Sequence, residues 1–314
     1  MLRYLLRRLL LSVPLLFGVS ILTFIVVALV PGDPAVRILG AGHTAAEYQA
    51  ADARLGLTEP LLVQYWHWLD GVLHGSLGTS LFTIQSVSST IAQRLPVTVW
   101  LIVGATLVSL VAGVALGIAS AVWRGPLGRG IDAASWVTFA VPNFWLGLIL
   151  IEFIAVKAHL LPTSGFVPLG QSPSLWLRSL ILPVLTLAAV GVTGVAKQTR
   201  DAMDEVRSRE FVTALRMAGL PAWTILLRHA LRNAAIPIVT TVGLFMIAML
   251  GGTILVEQVF ALPGMGSLVV QAATDRDLPV IEGVVLYFTL IVIVLNLLVD
   301  LSYAWLNPKV RVAS

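Results

Sequence analysis

The chain has 314 residues, of which 58% are hydrophobic and only 11% charged. Soluble domains carry about 25% charged residues, so this chain cannot clothe a water-facing surface and lipid must solvate much of it. It contains no Cys, which excludes disulfides, thiolate metal sites and a cysteine nucleophile; its net charge of +4 reads as membrane orientation and not as a nucleic-acid face.

A spanning helix needs about 20 apolar residues. Six stretches meet or approach that length: 9–30, 97–123, 133–151, 179–196, 234–256 and 283–299, the last continuing through Asp300 to Trp305. In lipid the backbone must bond to itself, so these are helices, and the expected class is an all-α integral membrane protein with six transmembrane helices. The first run is too long for a signal-peptide core and lacks a small-x-small cleavage site, so it is expected to stay as an uncleaved span. Pro14, Pro142 and Pro183 should kink or start helices. Gly104, Gly113, Gly117, Gly191 and Gly194 are expected where helices approach closely.

Residues 31–95 form a more polar segment between the first two spans. Thr58 is expected to cap a helix with Pro60 in its first turn. Leu61, Leu62, Tyr65, Trp66 and Leu69 then recur at helical spacing, and Gly71, Gly75 and Gly78 end that helix. Trp66 and Trp68 suit a membrane interface. Further loops follow at 159–177, rich in Pro and Gly, and at 260–279, with Pro263-Gly264-Met265-Gly266 and Asp275-Arg276-Asp277.

Lys and Arg set the orientation. With the N-terminus in the cytoplasm, fourteen of the 20 basic residues lie inside, from Arg3, Arg7 and Arg8 through Arg124 and the 197–232 segment to Lys309 and Arg311. Both termini are therefore expected to be cytoplasmic. The expected organisation is 1–30 as N-terminus and first span, 31–95 as a small extracytoplasmic subdomain, and 96–314 as a core holding spans two to six.

Within 197–232 lies a short amphipathic helix. Ser208 is expected to cap it, and Glu210 in its first turn favours the positive end of the dipole. Phe211, Ala214, Leu215 and Ala218 fall at i, i+3, i+4 and i+7. Arg216 sits near its end, Gly219 supplies a left-handed stop, and Leu220 and Pro221 follow. Pattern alone leaves two readings, a helix lying back on its own bundle and a helix docking in a partner's groove.

Charged and polar groups near or within spans are few: Glu152, Glu257 and Asp300, with Asn143 and Asn296. Intramembrane ionisable residues are candidate pathway residues, and helix packing is the competing role. The acids lie towards helix ends and not at the midplane, which opposes a self-contained proton-coupled carrier. His43, His67, His74, His159 and His229 all fall outside the expected spans, which opposes an intramembrane serine hydrolase. His67 and His74, seven apart without carboxylate support, read as solvated and not as metal ligands. A phosphate loop needs Gly-Lys-Ser/Thr, and none of Lys157, Lys197 and Lys309 follows a glycine. A motor, if there is one, is a separate chain.

Over its whole length the chain resembles the permease subunits of bacterial ABC importers for dipeptides, oligopeptides and nickel. The resemblance is carried by Arg7-Arg8-Leu9, Gly18-Val19-Ser20, Pro31-Gly32-Asp33-Pro34, Leu55-Gly56-Leu57, Leu77-Gly78-Thr79-Ser80 and Arg94-Leu95-Pro96. It continues through Pro142-Asn143-Phe144-Trp145, Arg228-His229-Ala230-Leu231-Arg232-Asn233-Ala234, Gly251-Gly252, Glu257, Pro263-Gly264-Met265-Gly266, Arg276-Asp277, Asn296 and Asp300. It implies a type I ABC importer permease fold in the bacterial inner membrane, with ATP and Mg bound by partners and no cofactor in this chain. The implied partners are a homologous second permease, two ATPase subunits on the cytoplasmic side and an extracytoplasmic substrate-binding protein. It also implies that the cytoplasmic helix is the coupling region, here Glu210, Phe211, Ala214, Leu215, Arg216, Gly219 and Leu220. The family's usual Ala-Arg-Ala-Lys-Gly corresponds to Leu215-Arg216-Met217-Ala218-Gly219, which keeps the arginine and the glycine. The expected cargo is a peptide, with nickel or another small solute as the alternative.

Overall fold

A computed structural model of the chain describes residues 2–29, 34–40, 42–123 and 125–306. Arg124, the Pro31-Gly32-Asp33 motif, Lys309 and Arg311 lie outside the described residues, as do the side chains of Arg3 and Arg7. The described secondary structure is helical: α1 (Leu2–Leu29), α2 (Pro34–Leu39), α3 (Ala45–Arg54), α4 (Leu61–Leu73), α5 (Val87–Val122), α6 (Pro126–Ala140) and α7 (Asn143–Leu150). A π-helical turn, Ile151–Lys157, extends α7. Then come α8 (Pro173–Arg207), α9 (Glu210–Met217), the single turn α10 (Ala222–Thr224), a second π-helical turn (Ile225–Ala230), α11 (Leu231–Val259), α12 (Met265–Asp275) and α13 (Leu278–Leu306).

Five of these courses are long and apolar enough to cross a membrane: Arg8–Leu29, Val87–Val122, Pro173–Arg207, Ala222–Val259 and Leu278–Tyr303. A sixth crossing exists when α6 and α7 count as one, but they meet at 104°. The continuous helix expected over 133–151 is thus broken. Val141 is extended at φ −93°, ψ 125°, as a residue before proline prefers to be, and Pro142 then starts α7. The crossing expected third along the chain is thus represented by two half-length pieces.

The residues divide into two compact units, to both of which α5 and α13 contribute. The larger holds Val99–Leu262 and the chain from Val294 onward. Its most buried element is α8. Ser172 caps that helix by accepting a hydrogen bond from the Leu175 amide at 3.4 Å, and Pro173 opens its first turn. The expected glycine contacts are present here. A Cβ on Gly113 would stand 2.7 Å from Val195 Cβ, and one on Gly117 would stand 2.5 Å from Thr199 Cβ. No side chain fits at either point, so these glycines let α5 and α8 touch along their backbones. Near the ends of these helices, Arg200 bridges Asp132 of α6 and Asp201 at 3.0 and 3.1 Å.

The smaller unit comprises Leu2–Thr98 and Pro263–Ile293. Within it Tyr65 of α4 meets α1, its ring edge-on to Phe24 at 5.6 Å and its hydroxyl 2.9 Å from Ser20 Oγ. The helix expected to be capped by Thr58 is capped two residues later, by Pro60, and begins at Leu61. Thr44 and Glu47 form a reciprocal capping box at the start of α3, and the Thr44 amide donating to Glu47 holds that carboxyl below its ordinary pKa. A tight loop follows α4: Gly78 sits at φ +82°, its carbonyl accepts the Val87 amide at 3.1 Å, and the Ser80 amide donates to Gln85 at 2.9 Å. That loop grips Asp277, which is only 4% exposed. The Ser80 hydroxyl donates to one carboxylate oxygen and the Leu81 amide donates to the other at 3.2 Å. Two motifs nearly 200 residues apart are thereby fastened together.

Candidate functional site

The cytoplasmic helix of the sequence reading is α9, in the larger unit. Ser208 does not cap it. Helix α8 runs unbroken to Arg207, Ser208 closes that helix, and its hydroxyl donates back to the Glu205 carbonyl at 2.7 Å. Arg209 takes the capping position of α9 without a side-chain bond to the helix and pairs instead with Glu205 at 2.7 Å.

The far end of α9 is closed twice. Gly219 adopts φ +78°, its amide donates to the Arg216 carbonyl at 3.0 Å, and the Leu220 amide donates to the Leu215 carbonyl at 3.2 Å. This pair of bonds is a Schellman stop, which needs a left-handed residue where glycine stands. Leu215 and Leu220 pack on the same apolar cluster, as that motif favours.

The apolar face divides differently from the expected one. Val212 is fully buried against a cluster that includes Met203, Val206 and Ile225, and Leu215 lies partly buried beside it. Phe211 is 37% exposed and Met217 86% exposed, while Glu210, Ala214, Arg216 and Ala218 also face outward. One face of α9 is thus bolted to its own unit, and the other presents apolar side chains to the surroundings. Of the two readings left open by the pattern, the helix lying back on its own bundle holds for the face of Val212 and Leu215, and the opposite face is exposed.

Beside α9 a hollow of about 790 Å³ opens between the end of α5 and the turn after Gly219. Arg207 and Arg216 reach it, and Trp123 and Trp223 stand at it, 66% and 65% exposed.

The polar candidates are scattered. Asn143 is the first residue of α7, and a Cβ on Gly252 of α11 would lie 3.7 Å from its Nδ2. Glu152 is exposed on the π-helical turn and pairs with Lys157 at 3.2 Å. Glu257 lies two residues before the end of α11, as expected, and is wholly buried. Asn296 and Asp300, one turn apart on α13, are partly buried. Of the histidines, His229 lies in the π-helical turn that precedes α11. His67 and His74 sit beside carboxylates that the sequence reading did not credit, Glu59 at 3.2 Å and Asp70 at 3.6 Å.

One buried acid was missed. Glu282 of α13 is 1% exposed, and neither of its carboxylate oxygens has a hydrogen-bond partner among the described residues. The span drawn from Gly283 stopped one residue short of it; an acid one step outside an apolar run was the available signal.

The chain is similar to known proteins along its whole length. A family model described as binding-protein-dependent transport system inner membrane component matches residues 113–312, and a companion model for the N-terminal part of such membrane components matches 1–102. A Brucella abortus protein named as a peptide transport system permease is 37% identical over 307 residues, 98% of each chain. A Sinorhizobium fredii protein named as a peptide ABC transporter permease is 39% identical over 312 residues, 98% of this chain and 99% of that one. The glutathione transport system permease protein of Salmonella typhimurium is 40% identical over 312 residues, 99% of each chain. Among solved structures, the inward-facing MetNI methionine ABC transporter contains a chain that matches with TM-score 0.56 at 17% identity, over 70% of this chain and 97% of that one. At that identity the likeness establishes the fold.

Proposed function

We propose, from the premise that the chain belongs to the family of binding-protein-dependent transport system inner membrane components, that it forms half of the pathway by which an ATP-driven importer moves peptides across the inner membrane. It is a multi-pass permease component; the cargo, the residues and the partners are our reading. The cargo is read as peptide because relatives spanning its full length bear the words peptide or glutathione in their names. A second permease completes the pathway, a soluble binding protein delivers the cargo to residues 31–95 and 260–279, and two ATPases act from inside. Both termini and the 197–232 segment are cytoplasmic.

The observation that carries the coupling role is the division of α9. Val212 and Leu215 hold it to the bundle, while Phe211, Ala214 and Met217 remain open to a partner. A helix bonded on one face and apolar on the other transmits displacement without unwinding. Closure of the ATPase pair would move α9 and, through Val212, the inner ends of α5 and α8. The bundle then rocks between inward-open and outward-open states. No bond in the cargo is broken in this chain.

The test is co-purification. The double variant Phe211→Ala with Arg216→Glu should insert normally and retain the ATPase subunits poorly. Full retention would overturn the coupling role. Reconstituted with its partners and ATP, the complex should accumulate labelled dipeptide, and the chain alone should not. Accumulation by the chain alone would make it a self-contained carrier, and uptake of nickel ion without peptide would replace the cargo.

A further inference from the structure

We infer that the hollow beside α9 is a binding site for an acidic phospholipid, with its phosphate on Arg216 and Arg207 and an acyl chain along α5. The hollow lies where the apolar course of α5 ends: Ile118 and Val122 form one wall, and Ile225 and Leu226 another. At about 790 Å³ it has the size of a ligand site. Its two Trp side chains, more than half exposed, have the amphipathic character favoured at headgroup depth.

The charge in the hollow is one-sided. Its lining contains two arginines and, among the described residues, no acid. Arg207 donates to the Ala121 carbonyl, and its nearest carboxylate, Asp204, is 3.9 Å away. Arg216 has no ion pair or hydrogen bond among the described residues. A guanidinium left free beside an apolar hollow at the end of a membrane span calls for an anion that carries hydrocarbon. A phosphodiester meets it with paired oxygens, and the chain attached to that phosphate fills the space between Ile118 and Leu226. A zwitterionic lipid brings an ammonium group into the same field and is disfavoured. The inference requires that α5 cross the bilayer and shares Arg216 with the coupling reading, but its lipid-protection test is made without the ATPase subunits and so can fail separately.

The absence of Cys makes the test direct. The full chain carrying Ala119→Cys is placed in phosphatidylcholine nanodiscs with or without phosphatidylglycerol, and alkylation at position 119 is followed by peptide mass spectrometry. Phosphatidylglycerol should slow alkylation roughly tenfold, the scale set by one charge-assisted contact, and Arg216→Gln should abolish the protection. Native mass spectrometry should show bound phosphatidylglycerol lost on Ala119→Trp, which fills the hollow and leaves both arginines in place. Equal alkylation in the two membranes would overturn the site. Protection that survives Arg216→Gln would overturn the phosphate contact. Protection in the assembled transporter that ignores lipid composition would assign the hollow to a protein segment instead.

Discussion

Glu282 is the residue most at odds with its surroundings. It sits in the first turns of α13, next to Gly283, where a Cβ would stand 2.6 Å from a Val87 methyl. Around it are the apolar side chains that build the core of the smaller unit, Val280, Ile281 and Val284 among them. A buried polar group without a partner costs about 1–3 kcal/mol, so Glu282→Leu should raise the thermal stability of the detergent-purified chain by an amount of that order. Differential scanning fluorimetry checks it, and a lower melting temperature would mean that the carboxyl has a partner in the folded protein. Asp277, five residues earlier, is the contrasting case. It is equally buried, but Ser80 and the Leu81 amide satisfy it. Both carboxylates stood in the sequence as acids near an apolar run. What separates them is a loop closed by Gly78, and nothing local to residues 275–283 announces that contact.

At the scale of the element, α9 shows which features are local and which are tertiary. Its left-handed stop was readable because only glycine takes φ +78° without strain, and the proline two residues later closes the alternative of continuing. Gly219→Ala should destabilise the helix end by about 1–2 kcal/mol, the cost of a left-handed conformation for a residue with Cβ. Hydrogen exchange over 210–220 should accelerate while α8 stays protected; unchanged exchange would show that packing of Val212 holds the helix without its stop. The start of α9 and its rotation were not readable. Ser208 belongs to the end of α8, since that helix runs eleven residues beyond the apolar stretch that revealed it. Of the four apolar residues at helical spacing only Leu215 is partly buried, and the inward position falls to Val212, outside that set, which joins Met203 and Ile225 in the buried cluster. The third span is the mixed case: the break falls at Pro142, where a kink or a helix start was expected, but a continuous apolar composition did not give the 104° between its two segments.

At the scale of the whole molecule, hydropathy and charge made the membrane class legible without any contact, because lipid solvates any sufficiently long apolar helix. Orientation is a weaker inference, resting on the surplus of Lys and Arg in alternate segments. It has two exposed markers on opposite sides of the proposed topology: Met217 on α9 is 86% exposed, and Leu62 on α4 is 83% exposed. Since the chain has no Cys, Met217→Cys and Leu62→Cys each introduce a unique thiol. In intact cells a membrane-impermeant maleimide should label Leu62→Cys and spare Met217→Cys. Inside-out vesicles should reverse the result. The two positions must answer oppositely, because an odd number of crossings separates them when the bent α6–α7 pair goes through the membrane. Labelling of both from the same side would mean that α6 and α7 enter and leave by one face. The permease would then have five crossings, and its termini would lie on opposite sides of the bilayer.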